Sequence, residues 1–180
     1  MKQKTKYMAL SALCTTLMVV GAYVRFPLPF FAVQFTTQVF FLLVTGLLLP
    51  PVYSAGALST YVLLGLLGFP VFSQGGGPHT LLTPNFGYLL GFIFSAFVTS
   101  LVLRKLYGKR FAYMLAATVG VLAVYMIALP YVAFLSYVYQ AKPVVFKTLM
   151  TGYFLSFLPL DLVKAAGAAI IAKQVRQVLR

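Results

Sequence analysis

Asp161 and Lys164 stand three residues apart in an otherwise apolar stretch from Phe154 to Ala172. On a helix that spacing puts both side chains on one face, within reach of each other. An ionised carboxylate only accepts hydrogen bonds and an ammonium only donates them. The pair therefore suits a ligand that carries N–H groups beside a carbonyl or a carboxylate. By insertion scales each such charge costs about 2.5–3.5 kcal/mol at the centre of a membrane-spanning helix, so residues of this kind turn inward and serve a function by default. The competing reading is an ion pair that only fixes bundle packing, although removing both charges is usually the easier way to pack a helix. Pro159 can open a helix, which places Asp161 in its first turn, where the helix dipole favours a carboxylate.

Four further polar residues are candidates for the same cavity: Gln38, Gln74, Asn85 and Tyr88. Each has a plainer reading: Gln38 as an interhelical hydrogen bond, Gln74 as a solvated loop residue, Asn85 as a helix N-cap, Tyr88 as an interfacial anchor. His79 reads as loop surface. The chain holds one acid, one histidine and one cysteine (Cys14). That inventory excludes a disulfide framework, a multi-ligand metal site and a carboxylate-pair hydrolase. An intramembrane enzyme would need a nucleophile and base within reach of each other, and Asp161, His79 and Cys14 fall on different segments at different depths. The phosphate-cradling pattern GxxxxGK[ST] is absent, and the one acid, matched to a lysine, is not free to relay protons or sodium. A chain that binds a solute in the membrane with neither engine depends on partners for energy.

The elements that must position these residues follow from composition. Of the 180 residues 62% are hydrophobic and 8% charged, against roughly 45–50% and 25% in a soluble domain. An all-α, multi-pass membrane protein is expected, as one compact bundle over residues 1–180. Six apolar runs approach the roughly 20 residues a span requires: 7–24, 33–50, 52–70, 86–103, 111–139, and a last helix that ends near Ala172 and starts as late as Pro159. The stretch Val144–Phe157 is short for a span and reads as a partial helix. The net charge of +13 resides in cations at span ends. Lys2, Lys4, Lys6, Arg104, Lys105, Lys109, Arg110, Lys173, Arg176 and Arg180 fall on one side, and Arg25, Lys142 and Lys147 on the other. The positive-inside bias then makes both termini cytoplasmic, and with no basic stripe outside the spans nucleic-acid binding is not expected. Between the third and fourth spans, Val71 to Pro84 contains Gly75, Gly76 and Gly77 and reads as an outer loop able to fold over a ligand.

The first run also resembles a secretory signal, but its 18 uncharged residues exceed the roughly 7–15 of a signal h-region, and its removal would leave an odd number of spans. Ala9, Ser11, Ala12, Thr15 and Thr16 concentrate small side chains on it. They permit close helix approach, either to a partner subunit or within the chain itself.

Four stretches in this order resemble the S components of energy-coupling factor (ECF) transporters, specifically the biotin-specific BioY family: QFTTQVFFLLVTGLLLPP (34–51), GLLGFPVFSQGGG (65–77), TPNFGYLLGF (83–92) and FLPLDLVKAAGAAIIA (157–172). Departures occur at Val33 and Gln34, at Thr83, Asn85 and Phe86 within the TPNFGY loop, and at Leu160, all in the expected pocket wall. The resemblance implies a six-transmembrane-helix S component in a bacterial cytoplasmic membrane. It would capture biotin at the outer face and be powered by a module of two ATPases and a coupling transmembrane subunit, with no cofactor and no covalent chemistry. The ureido ring would meet Asp161 and Lys164, with Asn85, Gln38 or Tyr88 completing the hydrogen bonds and Phe72 and Tyr88 forming apolar walls. Lys164 has a second option in the valerate carboxylate. An S component for thiamine or riboflavin, or a non-transporting structural subunit, are the alternative readings.

Overall fold

The computed structural model describes residues 2–26, 35–140 and 146–178. Val33, Gln34, Lys142, Val144 and Arg180, invoked above, lie outside them. Helix α1 (Lys2–Tyr23) leads into a two-residue antiparallel pair, β1 (Arg25–Phe26) with β2 (Phe35–Thr36). Then follow α2 (Gln38–Leu48), α3 (Pro51–Leu66), a 3₁₀ turn (Pro78–Leu82), α4 (Pro84–Leu106) and α5 (Ala112–Gln140). The short α6 (Phe146–Leu149) continues through a π turn (Met150–Leu155) towards α7 (Leu158–Val178).

Helix α2 is the axis of the bundle. It is apolar on every side apart from Gln38 and Thr45, and a helix of that kind must be buried all round. Residues Leu42, Leu43 and Leu47 are almost wholly covered, and α2 touches α1, α3, α4, α5 and α7. Pro50 and Pro51 end it and start the next helix, since proline fits the first turn but not a helix interior. Around this axis, hydroxyls lock neighbouring helices by donating to carbonyls across the interface. Thr15 bonds Ala57 O at 3.0 Å, Ser54 bonds Ala96 O at 3.1 Å, Ser95 bonds Gly120 O at 2.7 Å and Ser100 bonds Leu49 O at 2.6 Å. Such bonds contribute about 0.6 kcal/mol each within a bilayer. Helices α4 and α5 pack closely at Gly91, where an added Cβ would lie 2.6 Å from Val124 O.

Among the described residues four helical stretches are long and apolar enough to cross a membrane: Gln3–Tyr23, Pro84–Leu106, Ala112–Val138 and the run Phe146–Val178. Helices α2 and α3, expected as full spans over 33–50 and 52–70, are shorter at 11 and 16 residues. At 1.5 Å per residue they rise only about 16 and 24 Å against a hydrocarbon core of about 30 Å. The reason is local: the chain before α2 is drawn into the β pair, and α3 ends where the glycine loop folds back. Helix α7 begins at Leu158, one residue before the expected proline start, with Asp161 in its first turn.

The two ends of the bundle differ in charge. Residues 4, 6, 104, 105, 109, 110, 173 and 176, all basic, occupy the start of α1, the ends of α4 and α7, and the connector 107–111. The other end carries Arg25 and Lys147. Exposed apolar side chains such as Leu63, Met126, Phe134 and Val163 lie between the ends, a surface suited to lipid.

The small-residue face of α1 divides. Ser11 and Thr15 turn inward to α3, with Ser11 Oγ 3.4 Å from Tyr53 O. Ala9, Ala12 and Thr16 are exposed.

Candidate functional site

A cavity of about 860 Å³, its open mouth included, lies at the end of the bundle away from the basic cluster. It is bounded by β2, the starts of α2, α4 and α7, the middle of α5, and the loop between α3 and α4. Asp161, Lys164, Asn85, Tyr88, Gln38, Gln74 and Phe72, seven residues scattered over the sequence, all line it.

The ion pair is formed inside the cavity. Lys164 Nζ donates to Asp161 Oδ1 at 2.7 Å, with only 12% and 8% of the two side chains exposed. Tyr125, unremarked in the sequence, donates its hydroxyl to the other carboxylate oxygen, Oδ2, at 2.6 Å. Lys164 Nζ also lies 4.0 Å from the centroid of the Phe35 ring, a cation–π contact on the β2 side. Charge-assisted contacts of this kind hold both groups in one geometry while leaving lone pairs and N–H donors for a ligand. Each ring brought to the site has a helical reason: Tyr125 stacks edge-on against Phe154 at 5.0 Å and Tyr88 at 6.1 Å, so three segments fix its hydroxyl.

At the start of α2 a hydrogen-bond chain orients Gln38. Thr36 Oγ1 donates to Gln38 Oε1 at 3.0 Å, Gln38 Nε2 donates to Tyr61 Oη at 2.7 Å, and the Tyr61 hydroxyl donates to Val71 O at 2.9 Å. Gln38 therefore makes the interhelical bond and faces the cavity as well. Asn85 is not the N-cap of α4: the cap position is Thr83, and Asn85 is the second helical residue. Tyr88 donates to Tyr153 O at 2.7 Å, which ties α4 to the π turn.

The loop over the cavity is ordered by its own backbone. Phe72 and Gly75 exchange two hydrogen bonds, at 2.9 and 3.1 Å, and Gly77 N donates to Gly65 O at 2.7 Å. Tyr23 bonds Pro70 O and Arg25 bonds Ser73 O from the α1 side. Gly75 and Gly77 have φ of 102° and 121°, values that side chains disfavour. Gly76 packs against α3 so closely that an added Cβ would fall 2.0 Å from Phe69 O. The three glycines shape the loop without lining the cavity; Phe72, Ser73, Gln74, His79, Thr80 and Thr83 are its lining residues. His79 is thus exposed loop surface and part of the cavity rim together, a position its lone occurrence in the sequence did not reveal.

We expect Tyr125→Phe to weaken ligand binding by about tenfold, the scale of one hydrogen bond to a charged group. The ring and its stacking remain, but Asp161 Oδ2 loses a buried donor, so thermal stability without ligand should also fall, by about 1–3 kcal/mol. Titration of the purified variant checks both.

The model of the BioY family matches residues 1–180. The chain belongs to the BioY family. Among its relatives, the biotin transporter BioY of Thermotoga maritima is 39% identical over 91% of each chain. The probable biotin transporter BioY of Lysinibacillus sphaericus is 29% identical over 99% of this chain and 91% of its own. A solved structure, the S component for biotin from an ECF-type ABC transporter at 2.1 Å, aligns with a TM-score of 0.83 and 26% identity over 98% of this chain and 93% of the other. The expected membership and the S-component fold are thereby established, and this BioY-family chain is a multi-pass membrane protein.

Proposed function

We propose that this chain is the substrate-binding membrane subunit of a biotin uptake system and performs no covalent chemistry. The observation that carries the reading is a carboxylate and an ammonium paired inside an apolar-walled cavity, with one carboxylate oxygen fixed by Tyr125. Biotin's ureido ring presents N–H donors beside a carbonyl acceptor. Asp161 accepts from the ring, Lys164 meets the ureido carbonyl or the valerate carboxylate, and Asn85, Gln38, Gln74 and Tyr88 complete the polar contacts. Phe72 and the Tyr88 ring face the sulfur ring and aliphatic tail.

The chain crosses the membrane six times in this reading, with α2 and α3 as short crossings and with both termini cytoplasmic at the basic end. The cavity then opens to the outside of a bacterial cytoplasmic membrane, and the loop carrying Gly75, Gly76 and Gly77 closes over biotin. An energising module of two ATPases and a coupling subunit drives inward release, docking along the exposed Ala9, Ala12 and Thr16 of α1. Residues 1–180 act as one membrane domain.

A ligand panel tests this. A ligand at 100 times its Kd stabilises the folded state by about 2.7 kcal/mol, so biotin should raise the thermal midpoint of the purified chain, and thiamine and riboflavin should not. No stabilisation by biotin would reject the reading. Uptake of labelled biotin by a biotin-requiring cell, with and without the module, tests the energy source.

A further inference from the structure

A second, smaller concavity lies at the basic end. It encloses about 240 Å³ of empty space, mouth included, and is bounded by Tyr7, Ser100, Arg104, Arg176 and the turn from Leu47 to Pro50. Two arginines from different helices meet there, each in the last turn of its own helix. A cation in a last turn ordinarily serves the helix dipole, but here the guanidiniums have capacity to spare. Arg176 has five N–H donors and makes one 3.4 Å contact, to Leu47 O. Its plane is held 4.9 Å from the Tyr107 ring centroid, which orients the fork. Arg104 is exposed.

No acid of this chain balances these charges. The single acid, Asp161, stands fifteen residues before Arg176 on the same helix, about 22 Å away at 1.5 Å per residue, well beyond the Debye length of about 8 Å. Further cations, Lys105 and Lys173, adjoin the two arginines in the sequence. Apolar surface adjoins the groove as well: Met8, beside Tyr7, is 65% exposed and Val52, beyond Pro51, is 76% exposed. A polar, cationic notch bordered by surface that faces acyl chains matches an amphiphile with an anionic head.

We infer that Arg104 and Arg176 form a binding site for the phosphate of an anionic membrane lipid, whose acyl chains lie along the flank near Met8 and Val52. The guanidinium forks take the phosphate in the bidentate manner that arginine favours. The lipid joins the end of α7 to the ends of α2 and α4, away from the ligand cavity.

The test uses the full chain in a neutral detergent. Thermal midpoints are read with added phosphatidylglycerol, phosphatidylcholine or inorganic phosphate, and retained lipid is counted by native mass spectrometry. Phosphatidylglycerol should be retained and should stabilise more than phosphatidylcholine, and inorganic phosphate should do neither. Arg104→Gln with Arg176→Gln should weaken retention by about tenfold or more. Lys109→Gln with Arg110→Gln, which removes the same charge outside the notch, should not. Equal losses in both double variants would reduce the effect to diffuse surface charge and overturn the site. So would no preference for phosphatidylglycerol, or full stabilisation by inorganic phosphate alone. If the first double variant misfolds, Arg176→Lys retains charge and stem but removes the fork. Its retention of the lipid at the parent level would overturn the proposal as well.

Discussion

Asp161→Asn lowers the affinity for biotin by about 100-fold or more. Hydrogen bonds to a charged acceptor contribute about 1.5–3 kcal/mol each, and every 1.4 kcal/mol is a factor of ten. The amide retains the size of the carboxylate but halves its accepting capacity and withdraws the counter-charge from Lys164, 2.7 Å away. Removing one partner of a buried pair is itself costly, about 3–5 kcal/mol, so the thermal midpoint without ligand should fall too. The exchange Asp161→Lys with Lys164→Asp separates the two effects. It restores an ion pair one turn long, so stability recovers, yet the acceptor no longer faces Tyr125 and affinity stays low. Titration of the purified variants is the measurement. An unchanged affinity in Asp161→Asn would remove the carboxylate from the binding role.

Gly76→Ala is the second large effect, expected through the loop and not through any contact with ligand. The added methyl meets a main-chain oxygen, Phe69 O, at 2.0 Å, and a backbone atom cannot swing aside as a side-chain tip can. Overpacking of this kind costs about 1–3 kcal/mol. In the free protein the loop escapes that cost by shifting residue 76 away from Phe69, and ligand binding must reimpose it. Affinity then drops by about 5- to 150-fold, mainly as faster release. Gly56→Ala is the control: nothing lies within 4 Å of its added methyl, and binding should be unaffected. Stopped-flow dissociation of labelled biotin distinguishes the two variants.

The helices were legible because lipid demands long apolar runs, and Pro50, Pro51 and Pro84 mark starts that only proline chemistry allows. The ion pair was legible because charge in hydrocarbon is rare. Tyr125 and Phe35 were not. In a chain with 12 tyrosines and 17 phenylalanines, nothing local marks a hydroxyl that reaches a carboxylate 36 residues away or a ring placed under an ammonium. The shortness of α2 and α3 was hidden for a related reason. Their flanks are as apolar as their interiors, and the boundaries come from tertiary contacts: the β pair before α2, and the Gly77–Gly65 bond that folds the loop back onto the end of α3. Asn85 misled as a cap because Thr83 and Pro84 start the helix two residues sooner.

The pairing of Asp161 with Lys164 has an electrical consequence. Two opposite unit charges cancel, so when the cavity is turned from one side of the bilayer to the other the protein itself moves almost no charge through the transmembrane voltage. The cargo does: a carboxylate-bearing vitamin carries one negative charge, and driving it towards a negative interior costs about 2.3 kcal/mol for every 100 mV. The resting potential therefore opposes accumulation, and the single acid of the sequence is already paired with Lys164. Work must be supplied from outside this chain, and uptake should slow as the inside-negative potential is made steeper.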